Sequence, residues 1–316
     1  MSKVFSLLAA LLVFSCITQQ ATAAPLPGHS LPQGELRNVR EREIDVSHLA
    51  TDLRVNLEQR TVSGSATITF TPLRENLSEV SLDAAKMQVK SVSLIRGKKS
   101  AALDHSWRDR QLHIGFPHSL RPGEQIVVQI EYSVKPESGL YFFPKTKLRS
   151  AEAWNYGEGG RHYGWLPMYN DSNERFTADM TLTVDKPFIA LSNGVLKEVR
   201  DNPDGSRSYH WVQDKPIPNY LLALNVGEFV EIPLDDAQLG DRKIPLSAWA
   251  HRGEEDRAAY AFGRTPKMVE FFSELFGYDY PWDKYDQVVL RNFSGAMETT
   301  TMVGFQESHL KTPDDP

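Results

Sequence analysis

The chain has 316 residues, of which 41% are hydrophobic and 24% are charged, and its formal net charge is −6. These values are typical of a globular protein and exclude a disordered or fibrous chain. The acidic balance, without a cluster of basic residues, argues against a nucleic-acid partner, because such partners are bound mainly through Lys and Arg. The length predicts one large domain plus part of another.

The N-terminus has the pattern of a secretory signal peptide. Lys3 precedes an apolar run from Val4 to Phe14, and Ala21-Thr22-Ala23 supplies the small residues of a cleavage site. Residues 1–23 are therefore predicted to be removed from a secreted or periplasmic protein. The apolar run is too short for a membrane span, and no second apolar stretch of spanning length follows it.

Cys16 is the only cysteine in the chain. Its context weakly resembles a bacterial lipoprotein cleavage site, although Phe14 fits that pattern poorly. A lipid anchor at Cys16 is therefore the lesser alternative to loss of this cysteine with the signal peptide. Cleavage after Ala23 would leave the mature chain without disulfides or thiolate metal ligands.

Strand patterns begin after a leader. Residues 24–40 carry several Pro and Gly with little periodicity and are interpreted as flexible. Beyond them apolar and polar residues alternate, the pattern of half-buried strands. Turn residues separate the runs: Asp204-Gly205 lies between Val195–Val199 and Tyr209–Val212 and predicts a hairpin. Residues 41–236 are therefore predicted to form a β-rich domain.

The pattern then changes from strands to helices. Residues 254–276 are rich in Ala, Glu, Phe and Met, and Gly277 is placed to end a helix. Thr265-Pro266 predicts either two helices or one helix with a kink. A short apolar strand, Gln287–Leu290, then leads into Gly295–Thr299.

The segment Gly295-Ala296-Met297-Glu298-Thr299 resembles the G-A-M-E-N exopeptidase motif of the aminopeptidase N family of zinc metallopeptidases. Two flanking stretches, Phe271–Gly277 and Tyr280–Asp286, resemble the residues before that motif, and Asn219–Phe229 resembles the last strand of the family's N-terminal domain. The resemblance implies a mainly β fold. It would comprise a saddle-like antiparallel β-sheet or sandwich N-terminal domain, followed at 246–316 by an incomplete α+β thermolysin-like catalytic domain that is truncated before the zinc motif.

The chemistry of the motif agrees with this resemblance. An exopeptidase must recognise a free α-ammonium group, and a carboxylate such as Glu298 forms short, charge-assisted hydrogen bonds with it. Gly295 and Ala296 leave room for a substrate backbone to pair as an added strand, and Met297 completes the substrate-binding set. The opposing interpretation is a plain edge strand with an exposed Glu. Thr299 replaces the family's usual Asn, which leaves the role of that amide open.

A second segment, Trp154–Pro167, is rich in Gly and aromatic residues. Counted back from Pro167, Glu158 falls where the family places a Gln or Glu beside the substrate amine. The resemblance therefore implies that Glu158 and Glu298 share one ammonium. The family's other signals around this proline are replaced here, so a packed Gly-rich loop is an equally good interpretation.

No pair among the nine histidines has the H-E-x-x-H spacing that binds zinc in this family. In the family that motif follows the exopeptidase motif after a short connection. Zinc is therefore expected in the complete enzyme, with its ligands absent from this chain, and no catalytic residue is assigned within it.

The chain is interpreted as the N-terminal substrate-recognition portion of a secreted zinc aminopeptidase. Its substrates would be peptides with a free N-terminus, from which the complete enzyme releases N-terminal amino acids, and the chain alone is expected to be inactive. The alternative is a non-catalytic β-rich binding or adaptor module that has lost the zinc domain. Because no G-x-S-x-G segment or catalytic cysteine is present, another hydrolase mechanism has no support.

Overall fold

A computed structural model of the chain describes residues 40–312 and 314. The predicted signal peptide, the leader up to residue 39 and Cys16 lie outside the described residues, so their assignments stay predictions. Within the described part, no helix is both long and apolar enough to cross a bilayer.

Most of the described chain is extended. Apolar and polar residues alternate along the longer strands, such as β1, β2, β8 and β11, which places one face of each of these strands in the core. Two α-helices, α1 (Glu255–Phe262) and α2 (Thr265–Phe276), occur late in the chain. The strands of the described part are β1 (Ile44–Asn56), β2 (Thr61–Pro72), β3 (Leu77–Asp83), β4 (Gln88–Arg96), β5 (Lys99–Ala102), β6 (Asp104–Arg108), β7 (Gln111–Leu120), β8 (Ile126–Val134), β9 (Leu140–Phe143), β10 (Glu152–Asn155), β11 (Arg175–Asp185), β12 (Ile189–Ser192), β13 (Val195–Asp201), β14 (Ser206–Pro218), β15 (Leu224–Gly227), β16 (Phe229–Pro233), β17 (Ala237–Leu239), β18 (Arg242–Ile244), β19 (Leu246–His251), β20 (Tyr285–Leu290), β21 (Ala296–Met297) and β22 (Met302–Gln306).

Eight strands form the largest sheet, in the order β13-β14-β11-β1-β2-β8-β4-β5. Neighbouring strands pair antiparallel except β1 and β11, which run parallel. The predicted hairpin at Asp204-Gly205 is confirmed, because β13 and β14 pair across it. Gly205 has a φ of +86°, a conformation that glycine adopts without the steric penalty of a side chain.

Two smaller sheets, β3-β7-β6 and β12-β15-β10-β9, share a core with the large sheet. The side chains of Phe70, Trp165 and Phe176 are fully buried in this core. Strands β10 and β15 are buried at every position, as expected for strands covered on both faces. The mainly β fold predicted from the sequence is confirmed.

The last sheet has the order β16-β19-β20-β22-β21 and is mixed, since β20 runs parallel to both β19 and β22. Helix α1 packs against β19 and β16, while α2 packs beside the β17–β18 hairpin. Two separate helices are present, with Pro266 in the first turn of α2, where a missing N–H is tolerated. Gly277 ends α2 with a φ of +61°, which confirms the predicted helix stop.

One apolar face of α2 is not covered by other described residues. Phe272, Leu275 and Phe276 share this face, as the helical spacing predicts, and are 48%, 60% and 72% exposed. Phe272 and Phe276, together with Tyr278 and Phe305, border an apolar groove of about 610 Å³.

The described residues from Glu41 onwards cluster as one compact unit. Strand β16 pairs with β19, so the chain enters the last sheet before the predicted boundary at residue 236. The division into domains at 41–236 and 246–316 stays a prediction.

Candidate functional site

The predicted exopeptidase segment lies at the edge of the last sheet. Strand β21 is the terminal strand and pairs only with β22 among the described residues, which leaves its outer edge open. Ala296 and Glu298 are exposed, whereas Met297 is buried and anchors the segment. An open edge with small outward residues is the geometry that an added peptide strand requires.

Gly295 turns the chain into this edge strand. Its φ is +81°, and a Cβ at this position would meet nothing within 4 Å, so the backbone conformation rather than space requires glycine. The Gly295 N–H donates to Gln306 Oε1 at 2.5 Å, and the Gly295 carbonyl accepts from the Gln306 N–H at 3.0 Å. These two bonds fix the start of the motif on β22.

Thr299 closes the turn after Glu298. Its side chain is buried, and its hydroxyl donates to the carbonyl of Met302. Its own carbonyl accepts from the Met302 N–H at 2.9 Å. In this chain the residue that replaces the family's usual Asn therefore points into the turn and stabilises the backbone that presents Glu298.

Glu158 lies on an exposed loop directly after β10. Its carboxylate accepts a hydrogen bond from the hydroxyl of Tyr156. That bond raises the pKa of Tyr156; partial burial and the negative charge of Glu298 add to the rise, while Arg161 opposes it. The Tyr156 hydroxyl therefore lies within the electrostatic range of both predicted amine ligands.

Glu158 and Glu298 line one cleft of about 500 Å³. Its other lining residues are neutral apart from Asp171, a third carboxylate, and none is basic; they are Gly159, Gly160, Asn170, Ser172, Asn219 and Tyr220. A cleft lined by three carboxylates and no basic residue favours a positively charged ligand. The structure thus brings together the two carboxylates that the sequence placed far apart in the chain.

The loop that carries Glu158 rests on His162. This side chain is fully buried, and its Nδ1 accepts a hydrogen bond from Trp165 Nε1 at 3.1 Å. Because an indole N–H only donates, the neutral ring carries its proton on Nε2. Burial lowers the pKa of His162 to about 4, and the nearby backbone of Tyr220 and Asn219 opposes this shift only in part. His162 is therefore neutral at physiological pH, and its ring packs against Gly157 at the start of the Glu158 loop.

Gly157 is required by the same packing. A Cβ at this position would lie 2.3 Å from His162 Nε2 and 2.3 Å from the carbonyl oxygen of Tyr220. The loop therefore reaches the cleft only because its first turn carries no side chain. Gly157 thus serves packing, as the packed-loop interpretation expects, while Gly159 and Gly160 line the cleft.

The sequence did not point to Asp171, Asn219 or Tyr220 as cleft residues. Asn219 is buried, and its Nδ2 donates to the carbonyls of Tyr169 at 3.0 Å and Asp171 at 2.6 Å. Asn219 and Tyr220 open the segment that resembles the family's last N-terminal strand, which was an available signal. No comparable sequence signal pointed to Asp171, because the family's pattern is replaced at that position.

No group of three His, Cys, Asp or Glu side chains that could hold a metal ion occurs among residues 40–312 and 314. The described residues therefore do not fit the zinc ion that the resemblance implies. His162 is packed as a neutral support, and the cleft carboxylates Glu158 and Glu298 do not form a metal-ligand set.

Comparisons with known proteins agree with this fold. The family model for the peptidase M1 N-terminal domain matches residues 46–221, and the model for the peptidase family M1 domain matches residues 260–315. The first match alone covers more than half of the chain. The chain belongs to peptidase family M1.

Curated relatives in this family are longer than the chain. Leukotriene A-4 hydrolase of Xenopus laevis is 25% identical over 257 residues, which cover 78% of this chain and 41% of that protein. Aminopeptidase 2 of Candida albicans is 25% identical over 286 residues, covering 86% of this chain and 30% of that protein. The chain thus spans less than half of the length of these relatives.

Solved structures share the fold. The M1 zinc metallopeptidase of Deinococcus radiodurans has a TM-score of 0.73 and 22% identity, covering 83% of this chain and 60% of that one. A mutant of that enzyme bound to the substrate Tyr-Ser-Ala has a TM-score of 0.75 and 22% identity, with coverages of 85% and 62%. At this identity the likeness establishes the fold alone.

Proposed function

We propose that this chain is the N-terminal substrate-recognition portion of an exported zinc aminopeptidase, which releases N-terminal amino acids from peptides. The observation that carries the proposal is the convergence of Glu158 and Glu298 on one acidic cleft beside the open edge of β21. Export is inferred from the signal-like pattern of residues 1–23.

The free N-terminus of the peptide is the group that this cleft recognises. An α-ammonium has three N–H donors, and two carboxylates can accept from it while neutralising its charge. Both carboxylates are exposed and therefore available to a ligand. An N-acylated peptide lacks that charge, so the same cleft would reject it and restrict the enzyme to N-terminal residues.

The peptide backbone is held by the edge of β21. Main-chain hydrogen bonds from an edge strand provide affinity without reading the side chains of the peptide. Ala296 is exposed and small, so an added strand can approach it closely. Amine recognition at one end of β21 and strand pairing along it would place the first peptide bond next to the motif.

Zinc chemistry belongs to the part of an M1 peptidase that the described residues do not supply. When bound, zinc would polarise the scissile carbonyl and activate water. The residues of this chain contribute binding and orientation of the peptide. This assignment of peptide binding to the present chain is supported by relatives named aminopeptidases and by a family structure with a tripeptide substrate.

An NMR titration of the chain with L-leucinamide tests amine recognition. We expect shifts of the backbone amides of Glu158 and Glu298, and no binding of N-acetyl-leucinamide. Glu298→Gln removes an ionised partner whose hydrogen bond contributes about 1.5–3 kcal/mol, so the Kd should rise roughly ten- to two-hundred-fold.

Glu198→Gln is the matched control, since Glu198 is an exposed Glu on another edge strand, β13. It should leave the Kd unchanged. If Glu298→Gln and Glu198→Gln bind leucinamide equally well, Glu298 is a plain edge-strand residue and the proposal is wrong.

A further inference from the structure

Strand β10 is connected to both segments that bear the proposed amine ligands, the Glu158 loop and the segment Gly295–Glu298. It leads directly into the Glu158 loop, and two of its side chains reach the end of β20, from which the chain continues to Gly295–Glu298. These side chains are Glu152 and Trp154. They lie on one face of β10, because residues i and i+2 of a strand point the same way.

Both side chains bond to the main chain of Arg291, the first residue after β20. The Arg291 N–H donates to Glu152 Oε1 at 3.0 Å, and the Arg291 carbonyl accepts from Trp154 Nε1 at 2.9 Å. The next residue, Asn292, has a φ of +55°, so the chain turns at this point. The turn towards the exopeptidase segment therefore begins at a residue whose N–H and C=O are both hydrogen-bonded to side chains of β10.

Glu152 is itself held in place. Its side chain is 1% exposed, and its Oε2 lies 2.9 Å from His251 Nε2, at the end of β19. Burial raises the pKa of Glu152, against the effects of His251 and Arg291, which favour the ionised form. A carboxyl group in such a site is orientated by its partners and cannot choose another rotamer freely.

Trp154 is fixed by aromatic packing. Its ring stacks on Phe143 at 5.2 Å and contacts Tyr141 at 5.1 Å, both on β9. On the other side it meets the edge of Phe293 at 5.0 Å, within the loop that precedes Gly295. Trp154 thus contacts that loop through the backbone of Arg291 and through the ring of Phe293.

Asn155, on the other face of β10, bonds to the backbone at the start of β15 and lies close to His162. Its Oδ1 accepts from the Leu224 N–H at 2.6 Å, and its Nδ2 donates to the Leu222 carbonyl at 2.7 Å. The same Nδ2 lies 3.4 Å from His162 Nδ1. The start of the Glu158 loop is therefore also held by hydrogen bonds of β10.

We propose that Glu152 and Trp154 are positioning residues, which hold the Glu158 loop and the Gly295–Glu298 segment in one fixed relation so that both carboxylates reach a single ammonium. This inference rests on the proposed function. A buried Glu on a core strand supports the assignment, because a hydrophobic residue would fill the same volume without the desolvation of a charge. The side-chain oxygen of Glu152 supplies the acceptor that the Arg291 N–H requires and that a hydrophobic residue would lack.

Trp154→Phe removes the Nε1–H and keeps an aromatic ring. Its matched control is Trp211→Phe, since Trp211 is also buried and donates its Nε1–H to a backbone carbonyl, that of Ala190, at 3.0 Å. Native-state hydrogen exchange is measured for both variants. One lost hydrogen bond predicts about two- to tenfold faster exchange, in Trp154→Phe, at residues 157–160 and 295–299 together. Trp211→Phe should leave both segments within about twofold of wild type.

Glu152 provides a second pair of variants. Glu152→Gln retains an oxygen that accepts from the Arg291 N–H and should exchange like wild type. Glu152→Leu lacks that acceptor and should accelerate exchange in both segments, as Trp154→Phe does. In the leucinamide titration, Trp154→Phe and Glu152→Leu should raise the Kd by about two- to tenfold, while Trp211→Phe and Glu152→Gln should not.

Unchanged exchange in Trp154→Phe, or acceleration in only one of the two segments, would overturn the positioning role. Equal acceleration by Trp211→Phe would overturn it as well, since the effect would then be general loosening of the core. If wild type does not bind leucinamide, the proposed function fails, but the exchange data still decide whether Glu152 and Trp154 couple the two segments. If wild type binds and Trp154→Phe binds equally well, the positioning role fails alone.

Discussion

The hydroxyl of Tyr156 donates a hydrogen bond to Glu158, and the charge of Glu298 acts on the same hydroxyl. Tyr156 therefore reports on both carboxylates at once. Its ring also packs against Phe293 at 6.3 Å, and Arg161 Cζ lies 5.9 Å from the ring centre. A phenol in this position makes the electrostatics of the cleft measurable without any ligand.

The first prediction uses this phenol. Glu158→Gln removes the largest cause of the raised pKa of Tyr156 and should lower that pKa most; Glu298→Gln should lower it less. NMR titration of the labelled tyrosine ring carbons measures the change. Glu198→Gln should leave the pKa where it is. An unchanged pKa in Glu298→Gln would mean that the two carboxylates do not face one cleft.

The second prediction concerns Gly157, whose missing side chain lets the loop pack on His162. Gly157→Ala forces a Cβ to within 2.3 Å of two neighbours and should destabilise the fold by about 1–3 kcal/mol. Gly115→Ala is the control, since the nearest atom to its Cβ, the Asp104 carbonyl oxygen, lies 3.6 Å away. Urea unfolding compares the two variants. Equal stability would show that the loop relaxes without loss.

The local parts of the site could be predicted from the sequence. The motif residues Gly295–Glu298 are contiguous, and their chemistry does not depend on the rest of the fold. Glu158 was found by its distance from Pro167, although that count could not separate a ligand from a packed loop. The structure adds that both carboxylates border one cleft.

The supporting contacts could not be predicted, because they depend on which strands become neighbours. Glu152 and Trp154 meet Arg291 only because the end of β20 lies against β10, and no periodicity in the sequence reports that contact. The burial of His162 could not be predicted from the sequence either. A single histidine in a Gly-rich segment has the same local pattern whether it is exposed or buried, and only packing decides its pKa.

The apolar face of α2 shows another limit of prediction from the sequence. Helical spacing predicts which residues share a face, but not what covers that face. Phe272 and Phe276 stack at 5.7 Å and remain exposed to about half or more.

The third prediction follows from that exposed face. Replacing both Phe272 and Phe276 by Gln should reduce the fluorescence of a bound hydrophobic dye, because exposed apolar patches bind such dyes. The free energy of unfolding should change by no more than about 0.5 kcal/mol per site. Phe262→Ala is the contrast: Phe262 is 5% exposed and packs on Phe305 at 5.2 Å, so about 3–5 kcal/mol should be lost. Unchanged dye fluorescence in the double variant would mean that the dye binds to another part of the protein.

The last prediction is a dependence of stability on pH that originates at His162. The pKa of this imidazole falls from an ordinary 6.5 to about 4 on folding, because burial disfavours the charged ring. Between these two values the unfolded chain binds a proton that the folded chain does not, so stability rises with pH through this window. The contribution is complete above pH 6.5 and is lost as the pH falls towards 4. A shift of this size corresponds to about 3 kcal/mol.

His162→Gln isolates this contribution, since Gln can donate and accept hydrogen bonds but does not titrate in this range. Urea unfolding of wild type and variant at several pH values between 7.5 and 4 gives the difference between their free energies of unfolding. That difference should be constant above about pH 6.5 and should shift towards the variant by about 3 kcal/mol on acidification to about pH 4. Other acid-sensitive groups, such as Glu152, are present in both proteins and cancel in the comparison. Parallel stability curves for the two proteins would mean that His162 is accessible to protons in the folded state, and the support that it gives to the Glu158 loop would then need another explanation.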